Sequence, residues 1–201
     1  LRNSAVLVKK DGEPNEAHLR FAMERIWRHR TAQIWLNPQD MKSADAYYEA
    51  AEDCLTRKEK VELCFSIVTE WRRFQKWEEW SRWMSRLQAI GTDEANLYHT
   101  YETGLRALLE WDDDAVLKAA KALASEDPIW TMRRAGLLAT LFKSHEAAEL
   151  YQAALLRVRQ KLLLAPKSAW LISIEGWASL CHQVSYSALN SESFSSPSDE
   201  S

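Results

Sequence analysis

The sequence repeats itself between residues 104 and 155. The segment that begins Gly104-Leu105 matches the segment that begins Gly136-Leu137 at an offset of 32 residues. The same offset aligns three more apolar pairs, Ala115 with Ala147, Ala122 with Ala154, and Leu123 with Leu155. A related segment follows at Gly176-Trp177, 40 residues after Gly136, and glycines at these corresponding places predict the close approach of a neighbouring helix. Repeats of this length, each holding a pair of helices, predict an α-solenoid, in which every unit packs only on its neighbours.

Between the repeat signals, apolar residues recur at spacings of three and four, which predicts helices with one apolar stripe each. Only 5 Gly and 5 Pro occur in 201 residues, too few for a β-sandwich or barrel with a turn every ten residues. We therefore predict an all-α fold of about nine helices, arranged as antiparallel pairs. The predicted helices span residues 14–36, 38–56, 58–74, 76–90, 93–110, 113–125, 128–142, 145–163 and 168–184. Their candidate N-caps are Asn37 and Asp127, each followed by Pro, together with Thr92, Ser144 and Ser168.

These patterns divide the chain into three predicted parts. Residues 1–57 form an N-terminal helical segment, and residues 58–184 form the helical repeats. Residues 185–201 include eight Ser and few apolar side chains, a composition typical of a disordered tail.

Charge and hydropathy limit the partners and the cellular location that we expect for the chain. The net charge of −3 offers no basic field for nucleic acid or anionic lipid. No apolar run approaches the eighteen or so residues of a membrane span, so we expect no membrane partner and a cytoplasmic location. Cys54, Cys64 and Cys181 form no C-x-x-C pair and are expected to be reduced packing thiols. Because the chain begins at Leu1 and not at Met, we expect it to be part of a larger protein.

The second half of the chain resembles the tetratricopeptide repeats. The resemblance lies in the small residues of Ala135-Gly136-Leu137, followed by Ala147, Tyr151 and Ala154 in the next helix. It extends over about residues 58–184. It implies a right-handed solenoid whose first helices line a concave surface for a peptide or a neighbouring subunit.

This resemblance gives a predicted partner-binding surface. One unit contributes Tyr98, Glu102 and Arg106, and the next contributes Arg133, Arg134 and Leu138. The predicted partner is a protein, a peptide or another domain of the parent chain. The sequence does not indicate an oligomeric state.

A Trp/Arg segment at residues 71–86 is the most unusual stretch of composition. Aromatic residues spaced by three do not share one helical face, so we predict a chain turn at residues 74–76. The interpretations are packing between two helices, a protein-binding hot spot, or a platform for single-stranded nucleic acid. The accessible candidates are Arg72, Arg73 and Trp77. Residues 1–90 carry 16 basic and 14 acidic side chains, a balance that disfavours nucleic acid.

A second resemblance concerns the context of the chain. The sequence Glu175-Gly176-Trp177-Ala178, after a unit containing Pro128-Ile129-Trp130, is similar to repeat regions that follow sirtuin-like NAD-hydrolysing domains in prokaryotic phage-defence proteins. It implies a sensor or regulatory region, with the enzyme upstream of Leu1.

The chain shows no motif for catalysis or for a cofactor. It has no G-x-S-x-G, phosphate loop, G-x-G-x-x-G or H-E-x-x-H. The acidic run from Glu110 to Asp114 is predicted to cap a helix and not to hold a metal ion. We expect a non-catalytic module without cofactor or metal, which mediates protein–protein interaction.

Overall fold

The computed structural model describes residues 48, 49, 52 and 55–194, with side chains through residue 187. Seven α-helices account for most of these residues, and the described part of the chain holds no strand, so the predicted all-α class is confirmed. The helices are α1 (Arg57–Arg73), α2 (Trp77–Ala89), α3 (Asp93–Leu109), α4 (Asp113–Ala122), α5 (Pro128–Thr140), α6 (Ser144–Leu164) and α7 (Ala169–Phe194). The predicted helix 14–36 and nearly all of 38–56 lie outside the described residues.

Side-chain caps fix the start of most helices. Thr56 and Glu59 form a reciprocal capping box at α1, in which the Glu59 N–H donates to the Thr56 hydroxyl. The carboxylate of Asp127 accepts from the Ile129 N–H before α5, and Pro128 occupies the first helical position. Ser168 caps α7 in the same way. Ser144, predicted as a cap, is instead the first residue of α6.

Four of the six connections between helices share one short turn. Each is three residues long, and its middle residue has a positive φ. The middle residues are Gln75, Gly91, Trp111 and Phe142, with φ from 54° to 68°. After the three non-glycine residues, the next N–H donates to a carbonyl five residues back, as in a Schellman motif. This turn leaves only Lys143 between Phe142 and α6, which explains why Ser144 does not cap.

The chain divides into two compact units, and residues Leu1–Asn96 form the first. Its described part is the pair α1 and α2, which pack on each other. The predicted turn is confirmed, because α1 ends at Arg73 and α2 begins at Trp77. Trp71 closes the buried stripe of α1, and the α2 stripe consists of Trp80, Trp83, Met84 and Leu87, as predicted.

Residues Leu97–Ser201 form the second unit, in which α4, α5 and α6 each pack on the next helix along the chain. A single apolar core runs through it, and the repeat residues Ala147, Tyr151 and Ala154 are buried there. Gly104 lies where α3 meets the rest of the core. A Cβ at this position would come within 2.8 Å of the Ala119 Cβ and 3.0 Å of Leu137 Cδ1. At Gly104 the repeated glycine therefore does mark a close helix contact.

The helix α7 is longer than the sequence suggests. It continues to Phe194, whereas the predicted helix stops at residue 184 and the predicted tail begins at Ser185. No Gly or Pro interrupts the chain between Gly176 and Pro197, and serine lowers helix propensity only modestly. The rest of the predicted tail, residues 195–201, lies outside the described residues.

Candidate functional site

The helix α7 presents apolar side chains to solvent as well as to the core. Its packed face includes Leu171, Ile174 and Ala178, all buried. A second row, the α7 stripe, is more than half exposed and consists of Trp170 (57%), Trp177 (52%), Leu180 (59%) and Val184 (62%). The spacing of seven, three and four residues keeps the α7 stripe within about 80° of arc on the helix. One continuous apolar row thus lies beside the packed face and is itself uncovered.

The α7 stripe carries no charge. Among residues 169–187 the only Asp, Glu, Lys or Arg is Glu175, which points away from the stripe on the helical wheel. Its Oε1 accepts a hydrogen bond of 2.8 Å from Nε of Arg159 on α6. The stripe itself therefore holds no charged side chain, and the one charge between residues 169 and 187 is engaged with the neighbouring helix.

Two side chains of the second unit beside the stripe have raised pKa values. Burial, strengthened by the neighbouring Cys181, raises the pKa of Tyr151 to about 12. Burial also raises the pKa of Cys181, while Tyr151 and Trp177 partly offset that rise. The thiol therefore stays protonated near neutral pH.

The structure brings some residues of the predicted partner-binding surface together, but they pack against one another between helices. The Arg133 guanidinium lies over three rings, 4.4 Å from the Trp130 centroid and 5.0 Å from those of Tyr98 and Tyr101. Trp130 in turn meets both tyrosine rings edge-on. The predicted residues Tyr98 and Arg133 are therefore in contact in this aromatic cluster. Their contact packs α3 against α5.

The other predicted residues of this surface are separated from it or enclosed. Arg106 pairs with Glu110 along α3, at 2.9 Å. The Nε of Arg134 is buried and has no hydrogen-bond partner among the described residues. Glu102 (0% exposed) and Leu138 (2% exposed) are fully buried, which corrects their assignment to a binding surface. Glu102 and Leu138 are buried because α3 and α5 are covered on more than one side.

The Trp/Arg segment is largely core. The rings of Trp71, Trp80 and Trp83 are buried, so none of them is accessible for stacking on a base. Trp77 is half-buried and meets Trp80 edge-on at 6.2 Å. Arg73 pairs with buried Glu70 at 3.5 Å, and Arg72 is half-buried.

A small groove in the first unit combines basic and aromatic groups. It has a volume of about 310 Å³ and is lined by Tyr48, Glu52, Arg57, Lys60, Arg86, Ala89 and Ile90. Two of its cations have carboxylate neighbours, since Arg86 lies 3.4 Å from Glu49 and Lys60 lies 4.0 Å from Glu52. The lining thus holds three cations and one carboxylate, and a second carboxylate, Glu49, pairs with Arg86 from outside the lining.

Beneath this groove, the Tyr48 hydroxyl donates to the buried thiol of Cys64. Burial raises the pKa of Cys64 to about 11 and that of Tyr48 further above its usual value. A thiol with so high a pKa is a poor nucleophile. The pair therefore contributes to the core, and the Cys64 thiol stays protonated and weakly nucleophilic at neutral pH.

Clusters suited to metal binding do not occur in the described part of the chain, where no three His, Cys, Asp or Glu side chains converge. The acidic run before α4 has the capping role predicted for it. The Asp112 carboxylate accepts a hydrogen bond of 3.0 Å from the Ala115 N–H.

Sequence reasoning missed the α7 stripe, although a signal was present. A stretch of 19 residues, 169–187, with a single formally charged side chain is too apolar for a helix with one solvent-facing side. The predicted segment Gly176-Trp177 was assigned to repeat packing, whereas Trp177 is exposed and a Cβ at Gly176 would meet nothing within 4 Å.

Comparisons with protein-family models, with curated proteins and with solved structures give no match. Within the described residues, neither α6 nor α7 nor any shorter helix combines the length and apolarity needed to cross a bilayer.

Proposed function

We propose that this chain is a non-catalytic helical-repeat module that binds another protein through the α7 stripe. The observation that carries the proposal is the exposed row of Trp170, Trp177, Leu180 and Val184 in a stretch of α7, residues 169–187, whose single charged side chain is ion-paired. Clustered exposed apolar side chains of this kind mark protein-interaction sites. Two tryptophans supply the residue type that most often dominates binding energy.

The proposed architecture is a solenoid of antiparallel helix pairs similar to tetratricopeptide repeats. Its support is the shared three-residue turn at Gln75, Trp111 and Phe142, which closes α1–α2, α3–α4 and α5–α6 in the same way. Solenoids shield their two ends with polar capping faces. In the part of the chain that the structure describes, α7 lacks such a face, and the proposed binding surface is its exposed apolar row.

The proposal includes a cytoplasmic setting without cofactor. Cys64 and Cys181 are both free thiols, which supports a reducing compartment.

Site-specific photo-cross-linking in the cytoplasm tests this function. A photoreactive amino acid at position 177 is expected to give covalent adducts of defined mass with protein. The matched control is position 152 on α6, where Gln152 is exposed and polar. Equal labelling at the two positions, or no adduct at position 177, contradicts the proposal.

A further inference from the structure

We infer that the groove of the first unit is a binding site for a small phosphate monoester, whose phosphate group is held by Arg57, Lys60 and Arg86. The inference goes beyond the proposed function, because the groove lies in the first unit and the α7 stripe lies in the second. Three features of the groove lead to it: the origin of its cations, its net charge and its size.

The three cations reach the groove from two helices. Arg57 and Lys60 lie three residues apart at the start of α1, and Arg86 lies in the last turn of α2. Residues at this spacing are neighbours on one face of a helix. The positive end of the α1 dipole adds to the charge of the two α1 side chains. Positive charge therefore converges on the groove from the start of α1 and from the end of α2.

The Arg86 guanidinium is held in place by two rings. Its Cζ lies 4.6 Å from the centroid of the Trp83 ring and 5.4 Å from that of Tyr48. The Arg86 side chain is 27% exposed and the Lys60 side chain is 24% exposed, so both cations are partly desolvated. Hydrogen bonds between charged groups are stronger in such surroundings than in bulk water. A planar guanidinium held by stacking is suited to bidentate binding of a phosphate.

The net charge of the lining matches that of a phosphate monoester. Arg57, Lys60 and Arg86 each contribute one positive charge. Glu52 contributes one negative charge, which leaves the lining with a net charge of +2. A phosphate monoester carries a charge of about −1.5 to −2 at neutral pH. One such group therefore neutralises the lining almost completely.

The carboxylates near the groove do not prevent a phosphate from binding. Glu52 lies 4.0 Å from Lys60, and Glu49 lies 3.4 Å from Arg86. Both carboxylates are at least half exposed, at 50% and 65%, and ion pairs of this kind contribute little to stability. Water can therefore solvate Glu49 when a phosphate takes its place beside Arg86. Among the described residues, Arg57 has no ion-pair partner that a ligand would have to displace.

The size of the groove restricts the ligand to a small molecule. Its volume of about 310 Å³ is at the lower end of the range for ligand sites, about 300–1,000 Å³. A space of this volume is about 8 Å across, comparable with the Debye length at physiological ionic strength, so the cations around it repel one another. A bound anion removes that repulsion. Ala89 and Ile90 add an apolar wall, which suits a compact apolar group on the ester.

Isothermal titration calorimetry of the 201-residue chain with phenyl phosphate tests the inference. This probe joins a phosphate group to a compact apolar ring. We expect saturable binding with a dissociation constant below about 1 mM. Phenol, which has the ring and lacks the phosphate, should show no binding over the same range of concentration.

Arg57→Gln should weaken the binding of phenyl phosphate about tenfold or more, because it removes a charge-assisted hydrogen bond. The matched control is Lys58→Gln. Lys58 is the next residue on α1, its side chain is 74% exposed, and it pairs with Glu62 outside the lining. Each variant removes one positive charge, so a difference between them reports the position of the charge. Far-ultraviolet circular dichroism confirms that both variants keep their helices.

Nuclear magnetic resonance assigns the binding to the groove. The side-chain Nε–Hε signals of Arg57 and Arg86 should shift on titration with phenyl phosphate and give the dissociation constant found by calorimetry. The corresponding signal of Arg159, which pairs with Glu175 in the second unit, should not move.

Four results overturn the inference: no saturable binding of phenyl phosphate, binding of phenol with equal affinity, an Arg57→Gln variant that binds as tightly as the unsubstituted chain, or an equal loss of affinity in Lys58→Gln. None of these results bears on the α7 stripe, which the cross-linking at position 177 tests separately.

Discussion

The guanidinium of Arg133 lies 4.4 Å from the centroid of the Trp130 ring, three residues earlier on α5. Tyr98 and Tyr101 of α3 complete the surroundings of the same guanidinium, each at 5.0 Å. A partly desolvated cation held by three rings contributes to the packing of α3 on α5. We therefore assign Arg133 to stability, whereas its sequence position alone predicted a contact with a partner.

Removing the Arg133 charge should destabilise the fold. Arg133→Met keeps the aliphatic length and loses the cation–π interaction, so we expect unfolding free energy to fall by about 1 kcal/mol. Arg133→Lys should retain part of the interaction because the charge remains. Urea unfolding followed by circular dichroism measures both. A midpoint for Arg133→Met equal to that of the unsubstituted chain contradicts the assignment.

The two glycines Gly104 and Gly176 should respond in opposite directions to alanine. Gly104→Ala forces a Cβ against Ala119 and Leu137, and overpacking of this kind costs about 1–3 kcal/mol. Gly176→Ala adds a methyl group in open space within a helix and should stabilise by about 0.5–1 kcal/mol.

Thermal unfolding of the Gly104 and Gly176 variants gives the comparison, with each serving as the other's control. A Gly104→Ala variant that melts at or above the temperature of the unsubstituted chain would disprove the close contact between α3 and the core.

The turns at Trp111 and Phe142 hold large aromatic residues in the left-handed region. Both side chains are almost fully exposed, at 90% and 87%, so packing does not compensate the strain. Replacing either by Gly should raise the unfolding free energy by about 1 kcal/mol, because Gly adopts this conformation without steric cost.

Gly91→Ala provides the converse control, since Gly91 has φ 68° in an equivalent turn and should lose stability on substitution. Chemical denaturation measures all three variants. If Trp111→Gly and Phe142→Gly both lose stability, the exposed rings contribute more to the fold than the strain costs, and the prediction is wrong.

Alkaline pH should lower the unfolding free energy of the first unit, because the Cys64 thiol ionises. Burial raises its folded pKa from 9.0 to about 11, so the neutral thiol favours the folded state. The stabilisation is complete below pH 9 and is lost as the pH rises through about 11, to an extent of about 3 kcal/mol. Cys64→Ala should flatten this part of the pH–stability curve. An unchanged slope in that variant would assign the alkaline loss to another group.

Acidic pH should lower the free energy of unfolding through His99. Burial lowers the pKa of this imidazole from its usual value of 6.5. The folded state favours the neutral imidazole, so this contribution is present above pH 6.5 and is lost as the pH falls through the lower folded value. His99→Gln should reduce the acid-side slope of stability between neutral pH and pH 5. Urea midpoints at a series of pH values measure it, and parallel curves for the two proteins contradict the prediction.

Much of the helical layout follows from local signals. Apolar spacing and caps such as Thr92 and Asp127 placed every described helix to within a few residues, except at the C-terminal end of α7. These signals are local, because a cap bonds within its own first turn. The break in the Trp/Arg segment was also predictable, since rings spaced by three do not share one helical face.

The binding surface was not predictable in the same way. Exposure of Glu102 and Leu138 depends on which helices cover α3 and α5, and that information is tertiary. The repeated glycine at Gly104 does mark a close contact, whereas the matching Gly176 faces open space. Similar residues at equivalent repeat positions thus differ in role, because the last helix has no following helix to pack against it in the described structure.

The most direct test of the central claim compares oxidative footprinting of the α7 stripe in the cell and in dilute purified protein. Trp177 should be labelled readily in dilute solution and protected in the cell, because a protein surface covers it there. Trp111, exposed at 90%, serves as the internal reference and should be labelled equally in both samples. Equal labelling of Trp177 in the two samples would contradict a protein-binding role for α7.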